Sequence, residues 1–422
     1  MGRSRLACRP MTSLDLAFVR SQFPAFQLPG TRDWAHLENA GGSYVPNQVI
    51  DRLLHFYRNT KTQPYWAFGP SQEAGEAMDL AKARLPATFN AEPVETHFGP
   101  STTQNVYVLA HALRQAMTEG DEVVVTNQDH EANVGAWRRL ADTGIVVREW
   151  QVDPTTGLLD PTELSDLLTD RTKVVAVTHA SNLAATRNPI ADIATAVHAH
   201  GGVLVVDGVS HAPHAAVDVQ ALGCDVYLYS AYKTFGPHLG MMYVAEPTLA
   251  SVANQGHFFN EHKLDTRLVP AGPNHAEIAA SAGIMAYYDA IHAHHFDNRP
   301  ANDVELVGDV FELFGQHEEA LMAPLIDDLA DRADVQLVGS ASTSHAVREP
   351  TVAFWSPKVA SREIYDALVA GGVACGHGHF YSRRLVTALG LDPDDGVVRL
   401  SMVHYNTHDE VARALDVLDQ VL

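Results

Sequence analysis

Of the six lysines in this chain, Lys233 alone stands between an apolar run and a glycine-rich loop. The run is Val226–Tyr229, followed by Ser230-Ala231-Tyr232-Lys233, and the loop extends from Gly236 to Gly240. Some twenty residues earlier a second apolar run, Val203–Val206, ends in Asp207-Gly208. A lysine desolvated at a strand end loses basicity and can condense with an aldehyde as a Schiff base. A carboxylate beside it can keep a pyridine nitrogen protonated, so that the ring draws electrons. That acid–amine pair is what pyridoxal phosphate (PLP) chemistry requires. Taken alone, the same residues also suit a surface lysine and a strand-end aspartate capping a helix.

Other candidates fall in similar positions. Phe98-Gly99-Pro100-Ser101-Thr102-Thr103-Gln104-Asn105 leads into an expected helix over 106–117. Hydroxyls and free N–H groups at a helix start can hold a phosphate, although Ser and Thr there are equally ordinary caps. The run Val123–Thr126 delivers His130, an imidazole able to stack on a planar ring or simply to sit at the surface. Lys173–Thr178 delivers Asn182, and Trp34–Leu37 runs into Glu38-Asn39-Ala40-Gly41-Gly42-Ser43, whose glycines allow a close backbone approach or a plain turn. Each polar candidate of the 95–245 region follows an expected strand or opens a helix, a regularity that residue-by-residue explanations leave unaccounted for.

The elements that must position these groups are legible as apolar runs. Strands alternate with helices from about 95 to 245, which predicts a mostly parallel sheet with helices on both faces and a ligand at its carboxyl edge. Beyond 244 come an irregular stretch over 257–274, a helix over 277–292 and helical sequence over 301–332. A smaller α+β unit follows, with strands near 335–337, 351–355 and 396–403 and helices over 361–370 and 407–422. It contains Cys375-Gly376-His377-Gly378-His379-Phe380-Tyr381 and Arg399. The expected division is an N-terminal extension and helix over 1–30, a large α/β domain over 31–300 whose 31–45 segment closes over the site, and a small α+β domain over 301–422.

Composition narrows the partners. A formal net charge of −22 over 422 residues argues against a nucleic-acid or anionic-membrane surface. Three cysteines without C-x-x-C spacing argue against a disulfide framework, and 23 histidines without an H-E-x-x-H motif give no metal site. No apolar run approaches the roughly 18 residues of a membrane span, and the basic N-terminus lacks the apolar segment of a signal peptide. The expectation is a cytoplasmic protein, with Met11 an alternative start and residues 1–10 a disordered extension.

With these segments in order, the chain resembles the class V aminotransferase family of fold-type I PLP enzymes over about 15–422, and within it the cysteine desulfurase and selenocysteine lyase branch. The resemblance implies a large domain built on a mostly parallel seven-stranded sheet, a small α+β C-terminal domain, and a homodimer with shared sites. It makes Lys233 the Schiff-base lysine, Asp207 the partner of the pyridine nitrogen, His130 the ring-stacking histidine and Asn182 a neighbour of the phenolic oxygen. It gives the phosphate to Thr102, Thr103, Ser230 and Tyr232, and the substrate α-carboxylate to Arg399. Asn39-Ala40-Gly41-Gly42 becomes the segment over the substrate, with Ala40 and Gly41 contacting it.

The chain also departs from the pattern. Where the desulfurases carry a nucleophilic cysteine after Gly-His, the loop reads Gly376-His377-Gly378-His379-Phe380-Tyr381, and Cys375 precedes it at the end of an apolar strand. Ser210 replaces the usual glutamine after Asp-Gly-Ala, and Tyr232 a histidine. The Gly-Thr that a neighbouring subunit offers to the phosphate reads Gly272-Pro273-Asn274, where Asn274 substitutes. The implied activity is PLP chemistry at Cα or Cβ of an α-amino acid, by β-elimination or β-decarboxylation without a persulfide. Transamination, epimerisation and desulfuration through another thiol are the alternatives. His377, His379 and Tyr381 are the candidates for acid–base work at Cβ.

Overall fold

A computed structural model describes residues 13–422. The expectations for residues 1–10, Met11 and Cys8 lie outside the described residues. After the short strand β1 (Ala35–His36), seven strands build the main sheet: β2 (Thr96–Gly99), β3 (Glu122–Thr126), β4 (Val146–Trp150), β5 (Thr172–Thr178), β6 (Val203–Asp207), β7 (Val226–Ser230) and β8 (Gly240–Val244). Their order is β2-β8-β7-β6-β5-β3-β4, and only β8 runs against its neighbours.

The central strands form because both of their faces are buried. Successive side chains point to opposite sides of a sheet. Val175 and Val177 of β5 join the core on one side, while Val174 and Ala176 join the core on the other. Leu204 and Val206 of β6 divide from Val205 in the same way. A continuous valine-rich run is therefore what the doubly covered sheet demands.

Four further strands form the small sheet, in the order β12-β13-β10-β9: β9 (Gln336–Leu337), β10 (Thr351–Trp355), β12 (Gly376–Gly378) and β13 (Val397–Ser401). Between them in sequence, β11 (Val373–Ala374) pairs with β1 instead. Helix Asp303–Asp331 runs through both units, with Leu306, Val310 and Phe314 in the large core and Leu321, Leu325 and Leu329 in the small one. A cut at 301 separates two cores that this helix joins.

Other differences are local. Residues 35–38, expected with the large domain, have their backbone partners in the small unit. Ala35 N–H donates to Gly372 O at 2.9 Å, Leu37 N–H to Ala374 O at 2.8 Å, and Ser401 N–H to Leu37 O at 2.7 Å. The helix expected from 106 begins at Thr102, because Ser101 caps it by accepting the N–H of Gln104 at 3.2 Å. The Gly-His-Gly run read as loop is β12, zipped to β13. No helix among the described residues is long and apolar enough to cross a membrane.

Candidate active site

The parallel strands all end at one edge of the main sheet, and the chemistry collects there. Asp207 is the last residue of β6, Lys233 follows β7 by three residues, His130 follows β3, and Asn182 follows β5. Thr102 and Thr103 follow β2 at the same edge. Together with Ser210, Ser230, Tyr232 and Tyr381 these residues line one cavity of about 490 Å³.

Lys233 and Asp207 are both buried. Burial, with the nearby Arg399 cation, holds the lysine amine down at about 8 despite the attraction of Asp207. Burial pushes the Asp207 carboxyl up to about 6, against the N–H of Val209, which donates to it at 2.9 Å, and against the Lys233 charge. Each group thus lies in the other's field. Their opposite shifts bring an amine and an acid toward neutrality.

The next group stands at the start of helix Thr102–Arg114. The Thr102 and Thr103 N–H groups have no carbonyl to bond within the helix, and the Thr102 hydroxyl meets the Ser230 hydroxyl at 2.8 Å. Gly240, first residue of β8, lets this loop lie close to the sheet: a Cβ there would stand 2.3 Å from the carbonyl carbon of Ser101. Hydroxyls, free N–H groups, a desolvated amine and a buried carboxyl in one cavity suit a flat ring that carries a phosphate and an aldehyde.

His130 caps helix Glu131–Arg138, accepting the Ala132 N–H on Nδ1 at 3.0 Å, so its other ring nitrogen holds the proton. Burial and the Lys233 and Arg399 cations press its pKa to about 3. It is a neutral ring, 5.3 Å from that of Tyr381. Asn182 is fixed by the small unit: its amide donates to Phe380 O at 2.9 Å and its carbonyl accepts from the Ser382 hydroxyl at 2.6 Å. Phe380 and Tyr381 both take positive φ, 45° and 62°, a strained pair of the kind that functional loops hold.

The remaining candidates lie outside this cavity's lining. Arg399 is 3% exposed, ion-paired to Glu38 at 2.5 Å and covered by the Phe380 ring at 3.9 Å. Ala40 and Gly41 form a turn pinned to β13, with Ala40 N–H on the Ser401 hydroxyl at 2.8 Å. The neighbouring Ser43 N–H reaches Tyr232 O at 3.1 Å, so the segment ties β13 to the lysine loop. His377 pairs with Val398 while Gly376 pairs with Arg399. Facing residues share a side of the sheet, so His377 stands on the side away from Arg399, with its ring 4.8 Å from Tyr365. His379 turns back to accept the Tyr381 N–H at 3.1 Å. Asn274 caps helix His275–His295 and lines a separate cavity of about 350 Å³. Among the described residues no cluster of His, Cys, Asp or Glu suits a metal.

Three residues of the site were not singled out from sequence. His238, on the cavity wall, stacks on Tyr232 at 4.7 Å, and its place in the Gly236–Gly240 loop was an available signal. Glu38 and Phe380 meet Arg399 only through folding, and no local pattern marks them.

The sequence matches the family described as Aminotransferase class-V over residues 35–414. It is 36% identical to the aminotransferase-like protein FGM3 of Gibberella zeae, over 97% of this chain and 99% of that one. It is 30% identical to a cysteine desulfurase of Cronobacter sakazakii, over 95% and 97% respectively. The fold matches the cysteine desulfurase CsdA of Escherichia coli with a TM-score of 0.80 at 23% identity, covering 96% of this chain and 98% of that one. It matches a cysteine desulfurase of Thermococcus onnurineus NA1 with a TM-score of 0.81 at 21% identity, covering 98% and 99%.

Proposed function

Because the chain belongs to the aminotransferase class-V family, whose members depend on PLP, we propose that this enzyme is a lyase acting at Cα and Cβ of an α-amino acid without forming a persulfide. The observation that carries the reading is that Lys233 and Asp207 line one cavity, each in the other's field, beside the Thr102–Ser230 hydroxyl pair. PLP supplies there an electron sink for the pair released at the substrate's Cα.

The chain's own groups do the rest. Thr102, Thr103, Ser230 and Tyr232 hold the phosphate, and Asn274 of a second copy completes that contact in a cytoplasmic homodimer. Asp207 would hold a proton at the ring nitrogen, and neutral His130 would stack on the ring. Lys233, with an amine near 8, takes the Cα proton close to neutral pH. Arg399 binds the α-carboxylate through its guanidinium fork, and Tyr381, 70% exposed and lining the cavity, serves as acid for a group leaving Cβ.

Among the described residues, the two thiols support a reading without a persulfide. Burial pushes Cys375 up to about 12, with the Glu38 charge adding to it, and Cys224 up to about 12, with Asp225 adding to it. Neither is a thiolate near neutrality.

Screening the holoenzyme against β-substituted amino acids tests the reading. Ammonia and a 2-oxo acid formed without an acceptor are expected, with visible cofactor absorbance that Lys233→Ala abolishes. Turnover that needs a second 2-oxo acid would instead mean transamination, the reading favoured by the relative named aminotransferase-like. Cys375→Ser should retain turnover, and its complete loss would restore a desulfurase mechanism.

A further inference from the structure

Arg399 already holds a carboxylate. Its NH2 nitrogen meets Glu38 Oε1 at 2.5 Å, its NH1 nitrogen points to Asn182 O at 3.4 Å, and the Phe380 ring lies over its CZ carbon at 3.9 Å. Its Nε is buried with no partner, and so is Glu38 Oε2. The Glu38 carboxylate is therefore bound through one oxygen, leaving unused the two-point contact that a guanidinium fork offers.

Gly41 leaves room for that carboxylate, since a Cβ there would stand 2.7 Å from Glu38 Oε1, while one at Gly376 would press on the Phe380 ring at 2.6 Å. The backbone of Glu38 bridges Ser401, two residues along β13 from Arg399. Any ligand carboxylate that uses Arg399 must meet this internal one. The arginine side chain is 3% exposed and that of Glu38 28%, so Glu38 is the more accessible partner of the pair even though its Oε2 is buried.

We propose that Glu38 is an internal competitor for the carboxylate site, occupying Arg399 until a ligand able to bind the guanidinium through two oxygens displaces it. Glu38 then tunes selectivity by raising the threshold that any carboxylate must pass, and it disfavours anions that offer a single contact. This inference rests on the reading of Arg399 as the carboxylate-binding residue.

Calorimetric titration of the holoenzyme with acetate, propionate and butyrate tests it. These ligands lack an amino group, so the measurement reads the carboxylate site without turnover. Glu38→Gln keeps the shape and removes the charge, and Glu38→Ala removes the group. Both should tighten binding at least tenfold, with cofactor absorbance preserved, and Arg399→Leu should abolish binding in either background. Unchanged, weaker or undetectable binding in both Glu38 variants would overturn the proposal. If Arg399→Leu binds like the parent protein, the carboxylate site itself lies elsewhere and the reading of Arg399 fails first.

Discussion

At the scale of single residues, the amine of Lys233 and the carboxyl of Asp207 moderate each other, and the sign of that coupling is testable. A lysine in water titrates at about 10.4, whereas Lys233 sits at about 8 because burial and Arg399 outweigh Asp207. Labelling of the cofactor-free protein by a small aldehyde should therefore rise with pH, half-maximal near 8. Asp207 is ionised at that pH and raises the lysine's value, so Asp207→Asn should move the midpoint to lower pH. A midpoint that stays put or rises would break the link between the two groups. For Arg399, losing a charge-assisted contact costs about 1.5–3 kcal/mol. Arg399→Leu should raise KM for α-amino acids roughly 10- to 150-fold while leaving the cofactor's visible absorbance intact. Asp207 and Lys233 were legible because a continuous apolar run leads toward each of them. Glu38 was not, since its partner lies 361 residues away and the pairing exists only after the small unit folds back.

At the scale of elements, the proposed phosphate loop depends on how closely β8 approaches it. Gly240→Ala would force a Cβ against the Ser101 backbone, at 2.3 Å from its carbonyl carbon and 2.6 Å from the Thr102 nitrogen. Overpacking of this kind costs about 1–3 kcal/mol, and here the strain falls on the loop proposed to meet the cofactor. Both the thermal midpoint and cofactor affinity should drop, and a variant as stable and as tightly loaded as the parent would refute the contact. The joint between the two units rests on buried charge. Glu349 accepts from Arg187 at 2.7 Å and meets His211 Nδ1 at 2.7 Å, while its own N–H donates to Ala185 O at 2.9 Å. Removing one partner of a buried pair costs about 3–5 kcal/mol, so Glu349→Ala should lower the urea midpoint steeply. Strand and helix identities were readable across most of the chain because valine-rich runs and helical periodicity are local. The faces within β12 were not: Gly-His-Gly reads as a loop, and only its register on β13 decides that His377 turns away from Arg399.

At the scale of the whole molecule, buried imidazoles set the response to acid. His97 and His214 are held down to about 4 by burial, and His179, His211 and His404 well below their usual range for the same reason. A depressed folded pKa gives stability that is present above the unfolded value of about 6.5 and lost as pH falls toward the folded one. The buried carboxyls of Asp129, at about 7, and Asp207, at about 6, act in the opposite sense, since the folded protein keeps their protons. The imidazoles outnumber them, so the urea midpoint should fall between pH 7 and pH 4. The surface raises a second question. Trp66, Phe68, Phe258 and Phe259 are all exposed by more than half, and Asn274 lies off its own cavity. In the proposed homodimer Asn274 serves the partner's phosphate, and subunit mixing tests that. Lys233→Ala and Asn274→Ala dimers should each load PLP poorly. After unfolding and refolding together, a mixed dimer regains one complete site, with Lys233 from one chain and Asn274 from the other. Recovery of tight cofactor binding in the mixture is expected, and no recovery would confine each site to a single chain.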